Sequence, residues 1–393
     1  MAPAPGPPGP TLADDELAAW LHLLHSDGVG REGARRLLAR LGSPQQVLDA
    51  SLHARADCVD PRSAAALGRP PAGHAERLAA TLAWRQGGAD RRVMVLGDAD
   101  YPPLLLHSAD PPLLLYLHGH SALLGRPSVA LVGSRKPSAQ GLDHARNFAR
   151  SVSGQGWTVV SGLAAGIDGA AHEGALAGAD AARQQGQPGG STVAVIGTGI
   201  DRIYPSAHRR LAQRIAAQGL VVSEFCLGTP PLAPNFPQRN RLIAGLARGT
   251  LVVEAALRSG SLITARLAAE AGREVMALPG SVLATQSAGC HALIRQGAAL
   301  VTSVEQVLEE LQALPALAAD PPAPPVSPAD GAAGELADDP VLAALGHDPL
   351  TLDALIARCG WPAARLSAHL LTLELDGHLA RLPGGLYQRR RQA

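Results

Sequence analysis

The sequence predicts an α/β protein built on a mainly parallel sheet, preceded by a small helical module and followed by a winged-helix layout. Eight short apolar runs recur between residues 93 and 302: VMVL, SVALVG, WTVVSG, TVAVIG, LVVSE, TLVVEA, EVMALPG and ALVT. Such runs, apolar without alternation and rich in β-branched residues, fit strands buried on both faces. Amphipathic helical patterns separate them, which is the alternation of an α/β domain. Polar residues and glycines gather just after the runs: Gly133-Ser134-Arg135, Ser161-Gly162, Gly197-Thr198-Gly199, Glu224, Glu254 and Pro279-Gly280. Ligands of parallel sheets bind there, beyond the carboxyl ends of the strands.

In chain order, residues 1–11 contain MAPAPGPPGP and read as a disordered start with no basic or apolar signal region. Residues 12–85 alternate helical patterns with breaks, most clearly in DGVGREGARRLLARLGSPQQVLDA. The GVG turn there reads first as a tight helix–helix turn. The alternative is a helix-hairpin-helix whose turn amides meet a DNA phosphate. Residues 86–312 hold the sheet, and within them 178–191, GADAARQQGQPGGS, look like a flexible insertion between a helix and the next strand. Residues 313–340 are rich in Ala and Pro and form a linker. Residues 341–393 read as two helices across a turn and a hairpin around PGG, the winged-helix layout, ending in a basic tail Arg389-Arg390-Arg391.

Composition sets limits. A chain of 393 residues with 46% hydrophobic residues can bury a substantial core and suggests two or three domains. No apolar run approaches the ~20 residues of a membrane span, so a cytoplasmic protein is expected. Cys58, Cys226, Cys290 and Cys359 are far apart without a C-x-x-C pair, which suits reduced thiols rather than disulfides or zinc. HEGAL at 172–176 lacks the second histidine of H-E-x-x-H, and no metal is expected. The formal net charge is zero, so a polyanion must be met by a local basic surface. Of 34 basic residues only Lys136 is lysine.

That local surface has three candidate walls. SVALVGSRKPSAQG brings Gly133, Ser134, Arg135 and Lys136 to a strand-to-helix turn, where glycine permits close backbone approach and exposed amides stand beside two cations. TVVSGLAAGIDGAAHEGAL repeats the arrangement with Ser161 and Gly162, and Asp168 reads as the N-cap of the helix carrying His172. FPQRNRLIAG adds Phe236, Arg239, Asn240 and Arg241, with no acid nearer in sequence than Glu224 and Glu254. Two partners fit that cluster: a buried carboxylate, or a phosphate gripped by arginine forks while Phe236 stacks on a base. One glycine-rich turn alone usually reflects sheet–helix packing. Three of them with uncompensated cations at one sheet edge favour an anion pocket.

Competing motifs fail on particular residues. A P-loop needs glycine before its lysine, but Lys136 follows Arg135; GTGIDR has Arg202 where the dinucleotide fingerprint needs its third glycine; no G-x-S-x-G elbow appears. The long ordered strings VGSRKPSAQG, VVSGLAAGIDGAAHEGAL, GTGIDRIYP, FPQRNRLIAGLARGTLVVEAALRSGSLITARLAAEAGREVMALPG and LIRQGA resemble the motifs of the DprA (Smf) family, the DNA-processing proteins of bacterial transformation. The resemblance runs through roughly residues 100 to 312.

The resemblance implies an extended Rossmann-like domain, a SAM-like helical N-terminus and a winged-helix C-terminus. It implies single-stranded DNA binding that shields the strand from nucleases, help in loading the RecA recombinase, homodimerisation through the Rossmann-like domains, and neither enzymatic activity nor a cofactor. By motif position, Gly133, Ser134 and Arg135 carry over as phosphate contacts, with Arg239-Asn240-Arg241 lining the same pocket. His208 and His291 stand where the family usually has asparagine. Aromatics are only 3% of the chain, so affinity is expected to rest on phosphate contacts and to be strongly salt-sensitive. The alternative from another class is a Rossmann-like nucleotide phosphoribohydrolase with Glu254 as its glutamate, although the P-G-G-x-G-T-x-x-E motif is missing. The plainer role for Glu254 is a partner for Arg239 or Arg241. A sequence-specific regulator acting through AARLSAHLLTLEL is weakly supported, since that helix has few base-reading side chains.

Overall fold

The computed structural model describes residues 12–313 and, further on, 341, 345, 350–359, 361, 366, 369–370, 373, 379–382 and 386–389. The expected disordered start 1–11, linker residues 314–340, most of AARLSAHLLTLEL and the tail residues Arg390 and Arg391 lie outside the described residues. The chain divides into two compact units, Met1–Ala319 and Asp320–Ala393.

The first unit begins with six helices: α1 (Asp14–His25), α2 (Arg31–Leu41), α3 (Pro44–Asp49), α4 (Leu52–Ala56), α5 (Pro61–Ala66) and α6 (His74–Gln86). Local chemistry starts several of them. Ser43 and Gln46 form a reciprocal capping box at α3, and Asp60 caps α5 just before its Pro61. The GVG turn is a plain connection: Val29 and Gly30 amides close onto Ser26 and Gly28 carbonyls. Leu17, Trp20 and Leu21 of α1 lie in one apolar cluster with Val93, Tyr116 and Ile215, so these helices share their core with the sheet.

The sheet has nine strands in the order β1-β2-β6-β5-β4-β3-β7-β8-β9. They are β1 (Arg91–Val95), β2 (Leu114–Gly119), β3 (Ser128–Val132), β4 (Thr158–Ser161), β5 (Ser191–Ile196), β6 (Leu220–Ser223), β7 (Gly249–Val252), β8 (Glu274–Ala277) and β9 (Ala299–Leu300). From β6 to β9 every pairing is parallel, while β2 runs antiparallel to both β1 and β6. All eight predicted runs are strands. The ninth, β2, was not expected, because Pro111-Pro112 and the leucines of LLLYLHG carry no β-branched signature.

Every residue of β3, β4, β5, β6 and β7 is buried, as two-sided cover requires. Val129 and Leu131 of β3 face α8 (Ala139–Gly154), α9 (Ile167–Gln184) and α14 (Val304–Ala313). Ala130 and Val132 face α7 (Pro103–Leu106), α11 (Asn235–Leu246), α12 (Ser261–Glu270) and α13 (Ala288–Arg295). This period-two alternation buries each Val or Leu for ~1.5–3 kcal/mol. The remaining helix, α10 (Arg209–Gln218), packs Leu211 and Ile215 into the cluster shared with α1. Residues 178–184 of the expected insertion are helical instead: alanines continue α9, and Arg183 pairs with Asp180 one turn earlier. Among the described residues no helix is long and apolar enough to cross a membrane.

In the second unit, β10 (Leu350–Thr351), β11 (Leu379–Leu382) and β12 (Leu386–Arg389) form a three-stranded sheet in the order β10-β12-β11. β11 and β12 flank Pro383-Gly384-Gly385, the predicted hairpin. Helix α15 (Leu352–Cys359) contributes Leu355 to a core with Leu366, Leu370 and Leu379.

Candidate functional site

Strand order reverses at β3. The chain steps from β3 through β4 and β5 to β6, then returns through α11 to place β7 on the other side of β3. The loops after β3 and β7 therefore diverge and leave a crevice at their carboxyl ends, the usual place for a ligand. The cleft there has a volume of about 520 Å³. It is lined by Gly133, Ser134, Arg135 and Lys136 after β3, by Phe236, Arg239 and Asn240 on α11, and by Arg258, Ser259 and Gly260 after β7.

Close packing forms its floor. An added Cβ at Gly133 would meet the Ile167 side chain at 2.6 Å and the Glu254 carbonyl at 2.8 Å, so only glycine lets these loops touch. The Ser134 amide donates to that carbonyl at 2.7 Å, and the Lys136 amide donates to Ser134 Oγ at 3.1 Å. Those two amides, expected to point outward, are therefore occupied. Cations supply the anion chemistry instead: Arg135, Lys136 and Arg258 are exposed and have no acidic partner among the described residues. The Arg135 guanidinium lies 5.6 Å from the centre of the Phe236 ring.

Arg239 reaches the cleft from below. Its side chain is only 5% exposed, and its Nη1 lies 3.9 Å from Asp168, beyond hydrogen-bond reach. Its Nε has no partner among the described residues. Burial, reinforced by Arg135 and partly offset by Asp168, lowers its pKa to about 10, so it stays charged at neutral pH. Burial likewise raises the pKa of Asp168, against the pull of Arg239 and the Ala164 and Gly162 amides. Both groups are shifted against their charges, because burial outweighs their attraction for each other. Asp168 does not cap α9, as expected from sequence; it sits inside the helix and accepts the Gly162 and Ala164 amides from the preceding loop.

Three predicted site residues are not in the cleft. Ser161 is fully buried and donates its hydroxyl to the Leu131 carbonyl on the neighbouring strand at 2.7 Å. Gly162 serves Arg239: a Cβ there would stand 1.5 Å from Arg239 Nη1. Arg241 turns away from the cleft. It pairs with Glu224, lies 3.2 Å from Asp110, and donates to the Asp110 carbonyl at 2.6 Å, in a cluster that also holds Arg31 and Arg35. One residue of helix advances ~100°, so Arg239 and Arg241 occupy different faces of α11. The carboxylate partnering Arg241 is Glu224 rather than Glu254.

Glu254 partners neither arginine. Its oxygens accept the Ser138 amide at 2.9 Å and hydroxyl at 2.5 Å, and Ser138 caps α8 through the Gly141 amide. The two histidines at family-asparagine positions also have partners: His208 Nδ1 donates to the Leu163 carbonyl at 3.0 Å, and His291 Nε2 lies 3.0 Å from that of Gly280. His172, fully buried, accepts the Leu163 amide and bonds Thr192 Oγ1 at 2.7 Å. Its pKa falls to about 3, chiefly through burial, so the imidazole is neutral. Together His172 and His208 brace Leu163, the one non-glycine with positive φ among the described residues. Arg258 was missed from the sequence. The signal was present in RSGS after β7, which repeats the Gly-Ser-Arg composition of the turn after β3. A larger cavity, about 740 Å³, runs between α12 and α13 and shares Arg258 with the cleft.

Fold and cleft define a class: a mainly parallel α/β protein with an unpaired cationic crevice at its topological switch point. The family model described as DNA recombination-mediator protein A matches residues 92–312, and that of the DprA winged helix domain matches 318–385. Protein Smf of Escherichia coli (strain K12) is 44% identical over 292 residues, covering 74% of this chain and 75% of that protein. DNA processing protein DprA of Streptococcus pneumoniae (strain ATCC BAA-255 / R6) is 49% identical over 213 residues, 54% of this chain and 72% of that protein. An X-ray structure of DprA from Streptococcus pneumoniae superposes with a TM-score of 0.60 at 38% identity, covering 77% of this chain and 99% of that one. The chain belongs to the DprA (Smf) family of DNA-processing proteins.

Proposed function

We propose that this protein binds single-stranded DNA in the cleft at the β3/β7 switch point, shields the strand from nucleases and helps load RecA onto it, as a homodimer in the cytoplasm of its host. The observation that carries this reading is the set Arg135, Lys136 and Arg258, exposed around a concave site without acidic partners and beside the Phe236 ring. Phosphates satisfy the cations, buried Arg239 adds field from below, and an unstacked base meets the aromatic. None of these groups reads a base edge, so little sequence preference follows. Membership of a DNA-processing family supports the same ligand. The sheet region 86–312 carries the binding, with 12–85 as its helical partner domain and the linker 313–340 leading to the winged helix at 341–393.

The alternative of a nucleotide phosphoribohydrolase needs a glutamate free to reach substrate, whereas both Glu254 oxygens are engaged at the start of α8. Anisotropy titrations with mixed-sequence oligonucleotides test the proposal. Single strands should bind more tightly than blunt duplex across a salt series, and nucleoside monophosphates should release no free base. Equal or tighter duplex binding overturns the reading. So does base release that disappears in Glu254→Ala.

A further inference from the structure

One aromatic beside the cleft is left without work by the contacts already described. Tyr204, in the turn after β5, is 50% exposed. Its ring centroid lies 5.7 Å from that of Phe236, with the planes inclined by 45°. The Phe236 ring thus neighbours both the Arg135 cation of the cleft and the exposed Tyr204 ring. The Tyr204 hydroxyl has no hydrogen-bond partner among the described residues, so no polar contact explains why the ring stands there. The surroundings suit a polyanion. Arg202, Arg209 and Arg210 are exposed and lack acidic partners among the described residues, while the turn's own acid, Asp201, is held by the Gly228 amide at 2.8 Å.

We propose that Tyr204 is a second base-stacking subsite, outside the cleft, for the stretch of single strand that leaves Phe236; this rests on the single-stranded DNA reading above. The ring spacing fixes how. A base inserted between two rings needs them ~7 Å apart, twice the ~3.4 Å stacking repeat, and 5.7 Å leaves no such room. The base therefore stacks on the outer, exposed face of Tyr204. Only an unpaired strand can offer it, because duplex bases have both faces covered by their neighbours. A stack of this kind accepts any base, in keeping with a site that reads no sequence.

The test measures binding of the full-length protein, its Tyr204→Ala and its Tyr204→Phe variants to a mixed-sequence oligonucleotide and to a series carrying one abasic site at each position. Tyr204→Ala should weaken binding about tenfold, and Tyr204→Phe should bind like the parent. The salt slope should stay unchanged, since the ring neutralises no phosphate. An abasic site at one position should weaken the parent but cost Tyr204→Ala nothing further. As a second readout, Tyr204→Trp should show fluorescence quenching by the intact oligonucleotide beyond that of the parent protein. If the parent binds single strands while Tyr204→Ala binds equally well, or loses affinity only with a reduced slope, the subsite is wrong and the cleft reading survives. If the parent fails to bind single strands at all, both fall.

Discussion

Helix α11 presents arginines to two regions that use the same side chain for opposite ends. On the cleft face Arg239 stands with Arg135, Lys136 and Arg258 around one carboxylate, Asp168. On the other face Arg241 joins Arg31 and Arg35 around Asp110 and Glu224, with contacts of 2.5 to 3.7 Å among the arginines of α2 and these acids. The second region is an ion network that ties α2 to the end of the sheet. The first has cations in excess of acids and a concavity beside them. Local supply of acid, rather than residue type, separates the paired arginines of the network from the unpaired ones of the cleft.

The largest expected effect breaks the structural half of that contrast. Arg241→Ala strips the half-buried network of its central cation and should lower stability by ~3–5 kcal/mol, read as a lower melting temperature. A change below ~1 kcal/mol would mean the network behaves like an exposed ion pair. A smaller effect probes the loop under the cleft. Burial holds folded His172 near pKa 3, against ~6.5 in the unfolded chain. Between those values the unfolded state carries the extra proton. The His172 contribution is therefore complete above about pH 6.5 and is lost as pH falls, at roughly 1.4 kcal/mol per pH unit for one proton. Denaturant titrations from pH 7 to pH 4 should show that slope, and His172→Gln should reduce it whatever its own cost at pH 7. The smallest effect sharpens the role of Glu254. Ser138→Ala removes the cap of α8 and should cost ~1–2 kcal/mol. No change in melting temperature would contradict the capping assignment.

How much was legible follows the same physics. Strands β3 to β7 announce themselves because two-sided burial demands continuous apolar runs, and the less buried β1, β8 and β9 still carry short ones, whereas β2, lying between β1 and β6 behind two prolines, spells its burial in leucine. Seven of the ten predicted site residues converge on the cleft, four from the turn after β3 and three from α11. The three that do not, Ser161, Gly162 and Arg241, fail for one reason: orientation. A strand-end serine turned inward, a glycine kept small for a guanidinium, and an arginine on the far side of a helix look identical in sequence to cleft-facing residues. Partners far apart in the chain were equally hidden, as Ser138 with Glu254 shows across 116 residues.

The contrast between the two regions is tested most directly by the salt dependence of single-stranded DNA binding in Arg135→Ala and Arg241→Ala, measured beside their melting temperatures. Arg135→Ala should keep its melting temperature and shrink the slope of log K against log salt by about 0.7, the loss of one phosphate contact on a single strand. Arg241→Ala should melt markedly lower and, at temperatures where it is folded, keep the parent slope. An unchanged slope in Arg135→Ala, or a reduced slope in a normally stable Arg241→Ala, would contradict the assignment of the cleft to phosphate and of the network to structure.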